Sequence, residues 1–218
     1  MVEITKSSAW EAWHEALSII REKGEKYKDS NGREFKELNN VMITIERTNQ
    51  GIFEPILYLS RSDKWVYPDL AEVANVVLHP EAVSAYNYSY AKRLFSSVDK
   101  KNQIDDYVIP LLQKDPVSRR AVATLFDPGV DSSIKNKDIP SMIVFDFKIR
   151  EQHLNVTCFI RSSDVFIGWP ANVYQISVIQ EYVAGKLKIP IGKITTVAAS
   201  AHIHSDHATE IDKLLKKS

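Results

Sequence analysis

Along residues 8–23, Trp10, Trp13, Leu17 and Ile20 recur at helical spacing with Ala16 beside them, and Gly24 closes the run. Apolar side chains three and four residues apart share one face of a helix, so an amphipathic helix is predicted here. A polar turn, DSNGRE, follows at 29–34. VMITIE at 41–46 alternates as a half-buried strand does, and FEPILYLS at 53–60 suggests a second strand. DLAEVANVVL at 69–78 predicts a short helix that stops before Pro80, residues 81–95 a helix with breaks, and IDDYVIPLLQK at 104–114 a helix kinked at Pro110. RAVATLFD at 120–127 and SMIVFDFKI at 141–149 predict strands. LNVTCFIRSS at 154–163 is the hairpin partner of the latter, turning through REQH. Residues 172–187 predict a helix with Val173, Ile176, Ile179, Val183 and Leu187 inward. ITTVAASAHIH at 194–204 reads as a strand and ATEIDKLLKK at 208–217 as a short, basic-ended helix. No repeat, low-complexity segment or linker interrupts the series. Hairpins mixed with helices point to the α+β class, as a single domain over residues 1–218.

Composition narrows the functional classes. The chain has 218 residues, 44% hydrophobic and 26% charged, which is ordinary for a globular protein. Lys plus Arg and Asp plus Glu both number 28, so the net charge is zero. A nucleic-acid or anionic-membrane surface normally carries a basic excess, and neither partner is expected. Cys158 is the single cysteine, so no internal disulfide forms. No apolar run approaches a membrane span and no signal peptide is recognised, so a cytoplasmic location is expected.

HIHSDH at 202–207 matches the His-x-His-x-Asp-His pattern of metallo-β-lactamase-like hydrolases. Imidazoles two apart on a strand point the same way and can share zinc. That family needs further ligands well downstream, and only 11 residues follow His207. No metal site is therefore expected from this motif, and polar residues at a strand end are the better of these two readings.

A second stretch carries more polar chemistry than helix capping requires. RSSDVFIGWPANVYQI, residues 161–176, leads from an arginine, two serines and an aspartate into an apolar helix. It resembles the Arg-Ser-x-Asp-Val-Phe-x-Gly-x-Pro-x-Asn segment of thymidylate synthase and the related pyrimidine-nucleotide hydroxymethylases. DPVSRRAVATLFDP at 115–128 is similar to that family's Asp-Pro-x-Ser-Arg-Arg segment. AHIHSDH resembles its His-x-Tyr-x-x-His segment, with His204 where tyrosine is usual, and YAKRLF at 90–95 resembles its Tyr-Gly segment. The order agrees over roughly residues 8–210, and the compact length is most like the short archaeal branch.

The resemblance implies a thymidylate synthase-like fold, a mixed β-sheet with packed helices, and a homodimer. It implies one-carbon transfer to C5 of a pyrimidine nucleoside monophosphate, dUMP-like, from 5,10-methylenetetrahydrofolate or a related reduced pterin. Arg161 and Ser162 are then assigned to the 5′-phosphate, where a guanidinium fork and a hydroxyl suit an anion. Arg119 and Arg120 would reach the same phosphate from the second subunit; read without the family, they are a solvated pair. Asn172 would hydrogen-bond the base, because an amide both donates and accepts, and asparagine favours uracil over cytosine. Without the family, Asn172 reads as a helix N-cap. His202 and His204 would contact the sugar hydroxyl, and Asp164 would hold the base and pterin region.

The resemblance breaks at the nucleophile. The family's chemistry uses a cysteine that adds to C6, and the position 20 residues before Arg161 is Ser141. A thiolate is accessible near neutral pH, whereas a serine alkoxide is far harder to generate. Met142 follows in place of the usual histidine. A non-catalytic or divergent nucleotide-binding homologue is therefore the competing reading. Glu72 is the best counterpart of the family's proton-transferring glutamate, and Arg33 of its loop arginine. Both also read as solvated surface charges.

Overall fold

The computed structural model describes residues 1–81, 89–96, 101–136 and 138–216. The elements run β1 (Val2–Lys6), α1 (Ala9–Lys23), β2 (Glu25–Lys28), β3 (Glu34–Ile45), α2 (Glu54–Ser60), α3 (Leu70–Leu78) and α4 (Tyr90–Phe95). A wide helical turn, Ile104–Val108, then leads into α5 (Ile109–Lys114), followed by β4 (Val122–Thr124), α6 (Pro128–Asp131), β5 (Met142–Arg150) and β6 (His153–Asp164). The chain continues through α7 (Gly168–Leu187), β7 (Ile191–His204) and, after a tight turn at Ser205–His207, α8 (Ala208–Leu215). No helix among the described residues is long and apolar enough to cross a membrane.

Seven strands form one mixed sheet in the order β1-β3-β7-β6-β5-β4, with β2 paired to β3. Two pairs are parallel, β1 with β3 and β6 with β7. Parallel neighbours need a crossover, which α7 supplies between β6 and β7. The β5–β6 hairpin closes through Glu151 and Gln152, both at positive φ, the backbone that a two-residue turn matching the sheet's twist demands.

Helix α1 follows the sequence pattern closely. Ser8 and Glu11 form a reciprocal cap, and Ala12, Trp13, Ala16, Leu17 and Ile20 are fully buried. Burial of each large side chain is worth about 1.5–3 kcal/mol. Trp13 Nε1 donates to the Val165 carbonyl at 2.7 Å, tying α1 to the connection between β6 and α7. Gly24 is required at the helix end, because a Cβ there would lie 2.5 Å from the Ile20 carbonyl oxygen.

The two faces of the sheet differ. Leu154, Val156, Cys158 and Ile160 of β6 are buried on the side on which α7 packs. The opposite face presents Met42, Val197, Phe159 and Val144 in one cross-strand row, with Thr44, Thr195, Thr157 and Asp146 in the next. Phe159 is 38% exposed there.

Several expected elements change. Residues 53–60 hold a helix: Pro55 sits in its first turn, where a missing amide has no consequence, and Ile56 and Leu59 are buried three apart. Helix α7 begins at Gly168, upstream of the expected Asn172, because Asp164 Oδ1 accepts the Phe166 and Ile167 amides just before it. Pro170 also fits its first turn. Strand β4 covers only 122–124, since Asp127 soon caps α6. Of residues 81–95, 90–95 are helical, and 82–88 lie outside the described residues. Strand β2 and the start of β3 were not foreseen. EKYK is exposed throughout, so it carries no burial alternation to read.

Candidate functional site

Ser141 stands immediately before β5. Its carbonyl accepts the Arg161 amide at 2.9 Å, which seats the two residues side by side on neighbouring strands. The Arg161 side chain turns back on the same segment, with Nε donating to the Pro140 carbonyl at 2.9 Å and Nη2 to that of Ile139 at 2.8 Å. A guanidinium has five N–H donors, so donors remain for an anion. Ser141 Oγ lies 2.9 Å from the Tyr90 hydroxyl, which α4 brings in. Helix α4 is held in turn by Arg93, whose guanidinium pairs with Asp131 at 2.9 Å and with Asp127 at 3.6 Å.

A second set of polar groups lies along three adjacent strands. In register, Ser162 faces Ser200 and Asp164 faces His202 across β6 and β7. Across β7 and β3, Asn39 faces Ser200, Glu37 faces His202 and Phe35 faces His204. Register partners and residues two apart share a sheet face, so these groups form one polar row. The buried positions of β7 change from Ile194, Thr196 and Ala198 to Ala201 and Ile203, which leaves Ser200, His202 and His204 half-buried. Their setting is tightly built. The Ser200 hydroxyl donates to Glu37, the two imidazoles lie 5.1 Å apart, and Phe35 packs edge-on against both. Burial lowers the pKa of both histidines below the usual imidazole value and outweighs the opposing pull of Asp164, so both are held neutral near pH 7.

The remaining sequence-derived residues fall as follows. Asn172 lies inside α7, which rules out its reading as an N-cap, and its amide donates to Gln175 Oε1 at 3.3 Å. Gln175 Nε2 reaches the Val73 carbonyl on α3 at 3.4 Å, so Asn172 is linked to the helix that carries Glu72. The Glu72 carboxylate is exposed and accepts the Asp69 amide in the cap of α3. Arg119 and Arg120 are exposed ahead of β4, and neither guanidinium has an ion-pair partner among the described residues. Arg33 pairs with Asp206 at 2.8 Å. Cys158 is fully buried on the helix side, and burial pushes its thiol well above the ordinary range.

The fold thus joins Ser141 to Arg161, and Ser162 and Asp164 to His202 and His204. Among the described residues, no hydrogen bond or ion pair links these groups to Asn172, Glu72, Arg119 or Arg120. A cleft of about 380 Å³ between Lys26, Phe35, Lys36 and His204 opens beside the polar row, and one of about 530 Å³ lies by Trp10, His14 and Leu214. Neither is lined by Ser141, Arg161 or Asn172. Two participants had escaped the residue-level reading. Tyr90 was visible only through the YAKRLF segment, and Glu37 sits in a charged stretch that gave no signal.

A family model described as Thymidylate synthase matches residues 5–218, nearly the whole chain. The chain belongs to the thymidylate synthase family. Its similarity to curated relatives is spread over most of their length. It is 35% identical over 207 residues to a "Putative thymidylate synthase" of Methanosarcina barkeri, covering 94% of this chain and 91% of the relative. A protein of the same name from Methanosarcina acetivorans is 33% identical over 206 residues, with the same coverage. One from Methanocaldococcus jannaschii is 29% identical over 212 residues, covering 94% and 92%. For a thymidylate synthase-family chain, the seven-stranded mixed sheet with helices packed against it agrees with the α+β fold expected from the sequence.

Proposed function

We propose that this protein binds a pyrimidine nucleoside monophosphate, dUMP-like, and transfers a one-carbon unit, methyl or hydroxymethyl, to C5. The observation that carries the reading is the pairing of Ser141 with Arg161 at 2.9 Å. It puts a nucleophile position beside an anion-binding side chain, and Ser162 continues from there towards Asp164, His202 and His204. Arg161 and Ser162 hold the phosphate, His202 and His204 the sugar hydroxyl, and Asn172 the base. Addition of the Ser141 oxygen to C6 would leave C5 with carbanion character, and Glu72 is the carboxylate assigned to proton transfer. Tyr90, within hydrogen-bond distance of Ser141 Oγ, orients that hydroxyl.

The second subunit of a homodimer supplies Arg119 and Arg120. Two features support the homodimer: the apolar row through Phe159 on the sheet face opposite α7, and the lack of an ion-pair partner for either guanidinium among the described residues. Arg161 lies two residues beyond Phe159 on β6, which supports a phosphate site near this face. When bound, 5,10-methylenetetrahydrofolate or a related reduced pterin supplies the one-carbon unit. Asp164 fits such a ring, because its Oδ1 is fixed by two backbone amides while its other oxygen is left to accept ring N–H groups. A cytoplasmic location suits this metabolite chemistry.

A non-catalytic nucleotide-binding role is the second reading, and Ser141 favours it. Its hydroxyl is bonded to a neutral phenol, a poor base for making an alkoxide. Release of tritium from C5-labelled dUMP, UMP, dCMP and CMP, with and without reduced pterin, separates the two. Release from any of them supports C6 addition, and gain of release in Ser141→Cys identifies the nucleophile position. Calorimetric binding without release in either form supports the second reading. Failure of both forms to bind any of these nucleotides sinks both.

A further inference from the structure

Oδ2 of Asp164 and the ring nitrogens of His202 and His204 converge from β6 and β7. One ligand atom from each lies within 4.8 Å of the others. We propose that these three side chains form a binding site for a divalent transition-metal ion of the zinc or ferrous type, with further coordination positions left to water or substrate. These are the side chains assigned above to the sugar hydroxyl and the pterin, so ion and substrate would meet at one shared site, while binding of the ion alone requires no nucleotide.

Three observations support the site. Asp164 Oδ2 is 3.9 Å from His204 Nε2, too far for a hydrogen bond but suited to two ligands on either side of one ion. With metal–ligand bonds of about 2.0–2.1 Å, ligand atoms in a tetrahedral site stand roughly 3.3 Å apart, so small side-chain rotations close it. Asp164 is already aimed, because Oδ1 accepts the Phe166 and Ile167 amides at 3.1 and 3.2 Å. Backbone donors on a ligating carboxylate are the kind of outer-shell support that fixes ligand orientation. Phe35 packs against both imidazoles at 5.7 and 6.1 Å and restrains their rotation.

The donor set decides the class of ion. Two imidazoles and one carboxylate suit zinc with an open position, or ferrous iron, and do not suit magnesium or calcium, which prefer oxygen ligands. The set differs from the HIHSDH pattern in the sequence. Asp206 is taken by Arg33, and His207 packs against Trp65 and Phe166. The carboxylate comes instead from the neighbouring strand, in register with His202.

The test uses untagged full-length protein stripped with a chelator, then titrated with Zn2+ by calorimetry and with Co2+ by visible absorption. The expected result is one ion per chain, with cobalt bands characteristic of low coordination number. Asp164→Asn and His204→Tyr should each weaken binding by more than the roughly 10–100-fold typical of an outer-shell change. An Asp206→Asn, His207→Gln double variant should bind as the parent does. Circular dichroism confirms that each variant is folded. No stoichiometric binding by the parent, or binding that survives both Asp164→Asn and His204→Tyr, overturns the proposal. Nucleotide binding is measured separately with EDTA present, so failure of one reading leaves the other visible.

Discussion

Removing the Asp131 carboxylate should destabilise the protein far more than an ordinary surface change. Asp131 is 1% exposed and Arg93 12% exposed, and their side chains meet at 2.9 Å. Deleting one partner of a buried pair leaves the other charge uncompensated, at a cost of about 3–5 kcal/mol. Asp131 also accepts the Asp127 amide at 2.8 Å, and loss of that bond adds about 1 kcal/mol. Against this, Asp127 already sits 3.6 Å from Arg93 and is 30% exposed, so it recovers a partly solvated pair worth about 1 kcal/mol. Asp131→Ala should therefore lose about 3–5 kcal/mol. At roughly 2–4 °C per kcal/mol for a chain of this size, Tm falls by about 6–20 °C. Urea unfolding is the assay, read as a fall in midpoint at constant m. An Arg93→Met, Asp131→Leu double variant should recover most of the loss, since an apolar pair of similar volume carries no desolvated charge. A loss below about 1 kcal/mol, or a double variant as unstable as Asp131→Ala, would refute the argument. The effect should also reach the site, because α4 sets Tyr90 against Ser141.

If the proposed homodimer forms through the Phe159 face, Phe159→Glu should shift it to monomer in sedimentation velocity, because a carboxylate in the apolar row opposes association of two such faces. An unchanged dimer removes that face from the interface. Tyr90→Phe deletes one neutral hydrogen bond to Ser141 and should cost about 1 kcal/mol in urea unfolding. The third concerns acid stability. Arg21 donates to both oxygens of Asp212 at 2.8 and 3.0 Å and holds its carboxyl below the usual carboxylate range. A depressed folded pKa stabilises above the unfolded value, near 3.8, and that contribution is lost as the pH falls through the folded value. Asp212→Asn should thus flatten the fall in stability below about pH 4, and an unchanged acid limb would count against the pair.

What could be read from the sequence followed from burial on one side. Trp13, Leu17 and Ile20 marked α1 because that helix has one apolar face, and β5 and β6 alternated because only one side of the sheet carries helices. Strand β2 escaped because both its faces meet water, and α2 was misread because Ile56, Leu57 and Leu59 fit a short strand as well as a helix. The site divided in the same way. Arg161, Ser162, Asp164 and Asn172 form one contiguous segment and could be found together. Glu37 and Phe35 come to the polar row only through the pairing of β3 with β7, a non-local register with no local signature.

The nucleophile question narrows once the one thiol is located. Cys158 lies 17 residues beyond Ser141 in the sequence, and it is paired across the hairpin with Phe145, inside the core. The thiol is fully buried, and burial drives its pKa well upwards. No rotamer change brings it to the Ser141 position, because successive β-strand residues keep to their own face. Thiolate addition to a pyrimidine is therefore closed to this chain as it stands. Covalent addition, if it occurs, runs through an oxygen whose nearest partner is a phenol, and Ser141→Cys restores the missing thiol without moving the backbone bond to Arg161. A variant that gains C5 exchange would show that the pocket is otherwise intact. One that still binds nucleotide without exchange would show that the divergence lies deeper than a single atom.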